Sequence, residues 1–501
     1  MLAIALSGLI LFGWSALFPK PHPIDNKQVT QSESLAPALV PTPASFTRPA
    51  VLTPEVDLKN TIKFSQDNRD IIFNQDNASI VEVIFKDVKE HRFPLYNAFA
   101  LDSDYLFKLQ ERTNDSIIFV AEAGNKRVLK KYNLPNNNNI IDLEIIVSNL
   151  GNQPIDDLAK VQLGRIDFDG KNPQARYQDV FLGGDEQNLH LPPSKEFSSK
   201  IKFLGIRDQY FCIIIEPVNI VTTALLNKIG KHESEVSLIL PAAKIDAGKQ
   251  IGHLLRIYLG PQDLKIINGI NSSWSGIIYF GKLDLIAQII LQLLMFFFSI
   301  LHNWGLAIIL LSLTVYFLLF PLSMKQMHSM KSMQALQPKI EALRKEFKNN
   351  PQQLNKEVME LYREHKVNPL SGCLPLILQM PIFFALYQAL IRSVALRGAK
   401  FLWIKDLSAP DGAFVFKNAL PVLGNQINIL PILMAIGMFV QQKISSPQST
   451  GEAADQQKIM LIIMPIMFGV IFYQMPSGLV LYWFVNSVLM LLYQVRLNRK
   501  T

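Results

Sequence analysis

Cysteine is nearly absent. Cys212 and Cys373 are the only two in 501 residues and stand 161 positions apart, which excludes a disulfide framework and leaves each as a small buried apolar residue. Charge is also scarce, at 18% of residues against roughly 25% in ordinary soluble domains. Eight histidines form no HExxH, no GxSxG occurs, and no Walker-type loop is present. A zinc protease, a nucleophile-elbow hydrolase and a P-loop NTPase are therefore excluded, and no catalytic residue, metal site or cofactor is expected.

What is abundant is apolar surface. Apolar residues make up 49% of the chain, with 31 Phe and 13 Tyr, too many to leave solvated in a disordered chain. The formal charge of +8 is concentrated: residues 19–283 hold 30 basic and 31 acidic side chains, whereas 284–501 hold 19 and 10. The more apolar half is the basic half. Basic residues flanking apolar runs are the pattern of cytoplasmic loops in membrane proteins, and no sequence-specific nucleic-acid binding is expected.

Residues 1–19 begin with the uncharged stretch LAIALSGLILFGWSALF, ended by Pro19 and Lys20. It lacks a basic leader and a small-residue cleavage site, so it reads as an uncleaved transmembrane anchor. Residues 20–54 are rich in Pro, Ser and Thr and read as an extended linker. Within 55–282, short β-rich runs recur: IIF at 71–73, SIVEVIF at 79–85, SIIFVAEA at 116–123, IIDLEIIVS at 140–148 and FCIIIEP at 211–217. Their spacing, with turn clusters such as Asn136 to Asn139 between them, predicts an antiparallel all-β sandwich.

Past residue 283 the pattern changes. Two apolar blocks, 285–301 and 305–322, are separated only by His302-Asn303-Trp304. Either both span, or the segment 283–302 lies in the membrane interface as an amphipathic helix and 303–324 spans. Charge arbitrates. Residues 325–368 carry nine basic residues against five Glu, which should stay in the cytoplasm. Met327, Met330, Met333, Leu336 and Ile340 recur there at helical spacing, Asn350-Pro351 can start a second helix, and Pro338 is a candidate kink. This predicts a cytoplasmic helical hairpin. Further apolar blocks at 370–391, 428–441, 459–474 and 479–494 fill 369–495, and a basic tail, 496–501, ends the chain. Six spans result, with 55–270 outside and 325–366 inside.

No Asp, Glu, Lys or Arg lies within these spans, which removes the usual mark of a proton relay or ion pathway. They carry neutral polar groups and prolines instead, including Ser312, Tyr316, Gln379, Pro381, Tyr482 and Asn486. Unpaired amides in hydrocarbon are costly, so these residues should face one another or water.

Several of these runs resemble a known family. KVNPLSGCLPLILQMPIFFALY at 366–387, LQPKIEALR at 336–344, NWG at 303–305 and MPSGLVLYW at 475–483 are similar, in sequence and order, to the bacterial YidC-type membrane protein insertases; GIRDQYF at 205–211 and YLGPQ at 258–262 extend the likeness into the β-region. The resemblance implies a polytopic α-helical membrane protein of six spans, with a five-helix insertase core and an all-β periplasmic supersandwich domain, in the inner membrane of a Gram-negative bacterium. It implies insertion, folding and assembly of membrane proteins through a polar groove, without enzymatic chemistry. Partners would be nascent membrane proteins, the Sec translocon, membrane lipids and the ribosome, the last without a long basic tail, since seven residues follow Gln494.

By the same resemblance the groove would be lined by Ser312, Tyr316, Gln379, Tyr482 and Trp483. Members of the family usually carry Arg where this chain has Tyr316, so attraction of acidic substrate segments is in question while desolvation of polar ones is kept. The hairpin, with Met327, Met330, Met333, Lys339, Arg344 and Lys345, would be a platform for nascent chains. Two other classes are compatible with the residues: a solute transporter or channel, and a membrane-tethered sugar-binding domain using Asp156-Asp157 or Asp167 and Asp169.

Overall fold

The computed structural model describes residues 60–499, apart from 87–90, 102–104, 137–138, 159, 168–177, 185–187, 192–194, 348–349, 366, 368–373, 421–423 and 446–451. The predicted anchor and linker lie outside the described residues.

The β-region forms three main antiparallel sheets. Thr61–Ser65, Arg69–Asn74, Ser79–Phe85 and His91–Ala98 make a four-stranded meander. Lys160–Asp167, Glu233–Ile239, Thr222–Lys228 and Phe197–Ile201 make a second sheet of four. The third has nine strands, in the order Asn188–Leu191, Asp179–Gly183, Phe203–Arg207, Phe211–Pro217, Gln250–Pro261, Ile140–Asn149, Lys126–Asn133, Ser116–Ala123 and Lys108–Arg112. In Ile140–Asn149 every second residue is buried, so Ile141, Leu143, Ile145 and Val147 enter one core shared with Phe73, Val83, Leu163 and Leu238 of the other sheets.

Strand Phe211–Pro217 breaks that alternation because both its faces are covered. Ile213 and Ile215 enter the sandwich core, while Cys212 and Ile214 face a second core with Trp274, Ile277, Ala287 and Leu294. A strand covered on both faces reads as the continuous apolar run FCIII. Burial pushes the Cys212 thiol well above its usual range, leaving it inert.

Helix α1 (Leu264–Ile270), capped by Asp263 on Lys265 N at 2.8 Å, leads out of the sandwich. The helical part comprises α2 (Asp284–Leu301), α3 (Trp304–Ala335), α4 (Gln337–Glu346), α5 (Pro351–Glu364), α6 (Leu374–Ile391), α7 (Ile429–Ser445), α8 (Glu452–Phe472) and α9 (Ser477–Arg499). Among the described residues, Asp284–Leu301, Trp304–Met324 and Ser477–Arg496 are long and apolar enough to cross a membrane, and Gln379–Ile391, Ile429–Ile444 and Leu461–Phe472 are shorter apolar segments. Helix α2 buries Ala287, Ile290, Leu294 and Phe297 and exposes Leu285, Ile289, Gln292, Phe296 and Ile300. Its length and composition permit crossing as well as an interfacial position.

One detail of the hairpin differs from expectation: helix α3 continues to Ala335, so Met327, Met330 and Met333 stand on its extension. Leu336 alone separates α3 from α4, and Pro338 stands in the first turn of α4, where a missing N–H costs nothing, so the helical run is interrupted beside the proline. The second helix starts as the residues require, with Pro351 first and the Asn350 side chain accepting from Gln353 N at 3.2 Å.

Candidate functional site

The polar residues within the apolar helices fall into three groups. On α6 and α9, Gln379 Nε2 donates to the Tyr482 hydroxyl at 2.8 Å, and one turn further the Asn486 amide donates to the Tyr482 carbonyl at 3.0 Å. Tyr482 is fully buried and Gln379 half-buried. A buried amide and phenol would each cost a few kcal/mol unpaired, so the bond fixes how α6 faces α9.

Trp483, next along α9, points about 100° away. It packs in an aromatic cluster with Phe383 at 5.4 Å, Phe472 at 5.4 Å and Phe468 at 5.9 Å. Its place is thus the junction of α6, α8 and α9, not the polar pair. On α3, Ser312 is buried and donates to the Ile308 carbonyl at 2.8 Å. One turn on, the half-buried Tyr316 stacks obliquely on Phe320, 5.8 Å away, whose ring meets Tyr493 of α9 edge-on at 5.0 Å. Among the described contacts, those of Ser312 and Tyr316 go to α3 itself and to the far turns of α9. Their pairing with Gln379 is not part of this geometry.

An apolar groove of about 450 Å³ runs between α7 and α8, lined by residues such as Ile432, Ile436, Pro465, Ile466 and Gly469. The two helices approach closely at Gly469, where a Cβ would lie 3.2 Å from Ala435 Cβ.

The hairpin holds a small core in which Leu336, Ile340 and Val367 pack with Met333, Val358, Leu361 and Tyr362. His365 Nδ1 meets the Leu361 carbonyl at 2.9 Å and must carry the proton there, leaving Nε2 to accept from Lys339 Nζ at 3.0 Å. Arg344 and Lys345 are exposed. The side chains of Met327 and Met330 lie outside the described residues. A surface cavity of about 500 Å³ is lined by Lys356, Met359, Glu360, Tyr362, Arg363 and Val367, mixing apolar and charged groups. Burial pushes the Tyr362 phenol up, with Arg344 opposing.

Sequence reasoning left one element unread, the connector 392–427. It contains a two-stranded hairpin, Phe414–Leu420 with Gly424–Ile427, and it ties helix ends together. Asp411, buried, accepts from Ile429 N at 3.1 Å and Leu430 N at 2.5 Å and so caps α7. The backbones of Ser477 and Gly478 donate to the carbonyls of Ala409 at 2.8 Å and Leu407 at 2.9 Å. The available signal was the glycine in each of two motifs. A Cβ on Gly305 would lie 2.1 Å from the Phe401 ring, and one on Gly478 would lie 3.1 Å from the Leu407 carbonyl.

Known proteins match along the whole chain. The family model described as 60Kd inner membrane protein matches residues 296–501, and that described as YidC periplasmic domain matches 74–293. A membrane protein insertase YidC of Geotalea daltonii is 30% identical over 542 residues, covering 100% of this chain and 98% of that protein. The chain belongs to the YidC membrane protein insertase family. A second YidC, of Pelobacter propionicus, is 37% identical over 325 residues, covering 64% of this chain and 59% of its own length. Among solved structures, an active YidC insertase with its first transmembrane domain resolved matches with 19% identity and a TM-score of 0.42, covering 87% of this chain and 92% of that one. As a YidC family member the chain is a membrane protein with a β-rich domain preceding its insertase helices, and the transporter and sugar-binding readings gain no support.

Proposed function

We propose that this chain inserts integral membrane proteins into the inner membrane of a Gram-negative bacterium and chaperones their folding, without catalysing a covalent reaction. The observation that carries the reading is the Gln379–Tyr482 hydrogen bond between two apolar helices that hold no charged side chain between Gln379 and Ile391 or between Ser477 and Gln494. The half-buried Gln379 presents its amide to a passing polar segment, and the buried Tyr482 hydroxyl fixes how that amide is held. The half-buried Tyr316 adds a polar group on α3, one turn past the buried Ser312. Trp483 supports the pair by anchoring α9.

In this reading the hairpin lies in the cytoplasm as a platform for nascent chains, carrying Lys339, Arg344 and Lys345, with Met333 packed against its core and with a mixed cavity lined by Lys356, Met359, Tyr362 and Arg363, and the β-domain lies in the periplasm. The positive charge of 325–366 supports that orientation. Nascent membrane proteins are the substrates, and the Sec translocon and the ribosome are partners. Complementation of a strain depleted of its own insertase tests the function: this chain should restore growth and substrate insertion, and failure at normal membrane abundance would refute it.

A further inference from the structure

The β-domain takes no part in the groove chemistry above, yet one of its turns reaches the helices. The turn Asp208–Phe211 is held from several sides. Asp208 Oδ1 accepts from the backbones of Tyr210 and Phe211, both at 2.7 Å, and Oδ2 lies 2.6 Å from Nε2 of the buried His91. Gln262 donates to the carbonyls of Asp208 at 2.8 Å and Phe211 at 3.2 Å.

From this fixed base two side chains extend. Gln209 Nε2 donates at 2.7 Å to the carbonyl of Ile391, the last residue of α6, a group that has no partner within its own helix. The Tyr210 hydroxyl accepts from Gln209 Nε2 at 3.0 Å, which ties the two side chains together, and the Arg397 guanidinium stands 5.2 Å from the Tyr210 ring centre. The connector bearing Arg397 in turn holds two further helices. Phe401 occupies the space against Gly305 at the start of α3. The carbonyls of Asp406, Leu407 and Ala409 accept from Ser477 Oγ, Gly478 N and Ser477 N at the start of α9. Helices α3, α6 and α9 are the ones that carry Ser312 and Tyr316, Gln379, and Tyr482.

We propose that the turn Asp208–Phe211 is a positioning element: through Gln209 and Tyr210 it sets the separation of α3, α6 and α9 at their β-domain end. This rests on the groove being the substrate path. It also gives the GIRDQYF run a role, since Asp208 shapes the turn and Gln209 and Tyr210 reach out from it.

The test uses the full chain in lipid nanodiscs, with Cys373→Ser and the fully buried Cys212 left in place. Spin labels are attached at Leu306→Cys in the first turn of α3 and Gln388→Cys in the last turn of α6, and in parallel insertion of a membrane protein with a polar translocated tail is measured. Gln209→Glu keeps the side-chain size but removes the donor, and Tyr210→Phe removes only the hydroxyl. Together they should broaden and lengthen the distance distribution and lower insertion several-fold, with the β-domain unfolding midpoint unchanged. Gln209→Lys, which restores a donor, should return both readouts to the parent values. An unchanged distribution, or a broadened one with insertion at the parent level, overturns the proposal. If the parent chain itself inserts nothing, the groove reading falls, and the distances alone judge the positioning.

Discussion

At the scale of residues, Gln379 and Tyr482 separate stability from function. Tyr482→Phe leaves the Gln379 amide unpaired among apolar helices and should cost about 1–3 kcal/mol. Adding Gln379→Leu removes the orphan and should restore most of that loss, as thermal unfolding in detergent will show, while insertion stays low in both variants. Tyr316→Arg should be tolerated, because a half-buried position lets the guanidinium reach water and escape most of the roughly 2.5–3.5 kcal/mol that a charge costs at mid-membrane; the measurement is insertion of substrates with neutral and acidic tails. Lys130 in the β-domain is fully buried, donates to the carbonyls of Asn77 at 3.0 Å, Ala78 at 3.2 Å and Phe99 at 2.6 Å, and has its pKa pushed down to about 7 by burial. Above that value the folded chain has lost a proton that the unfolded chain still holds, so stability rises with pH until the unfolded lysine also titrates. Between about pH 6.5 and about pH 8.5 the gain should be roughly 2 kcal/mol in unfolding free energy, absent in Lys130→Met.

At the scale of elements, helices are held by close approaches at glycine. Gly305→Ala forces a methyl into the Phe401 ring and should destabilise by about 1–3 kcal/mol, more than Gly437→Ala on α7, where a Cβ meets nothing within 4 Å. Comparing their unfolding midpoints checks this. Much of the fold was legible because burial writes itself into period and composition. SIVEVIF, SIIFVAEA and FCIIIEP coincide with whole strands, and Asn350-Pro351 starts a helix as its chemistry requires. What was hidden depends on distant partners. The connector 392–427 has no period of its own; its shape comes from Asp411 capping α7 and from carbonyls offered to Ser477 and Gly478. The continuation of α3 to Ala335 was obscured by a change from apolar to basic residues within one unbroken helix. Among site residues, a pairing of neutral polar groups across helices was readable in principle, but which groups pair was not: Tyr482 reaches Gln379, whereas its neighbour Trp483 turns into an aromatic cluster.

At the scale of the whole molecule, orientation follows from charge. Cysteines placed at Leu106 in the β-domain and Met359 in the hairpin, both exposed, should react with an impermeant label from opposite sides of intact cells, and labelling from one side would reverse or break the topology. The central claim is that this chain lowers the barrier for a polar segment to enter the bilayer beside the Gln379–Tyr482 pair, alone as well as with the Sec translocon. The most direct measurement is protease protection of a small membrane protein synthesised in the presence of proteoliposomes containing only this chain. The account predicts a protected, correctly oriented product with the parent chain and a loss of about tenfold with Gln379→Leu combined with Tyr482→Phe, equivalent to about 1.4 kcal/mol of barrier. Equal protection with the double variant, or with empty liposomes, would contradict it.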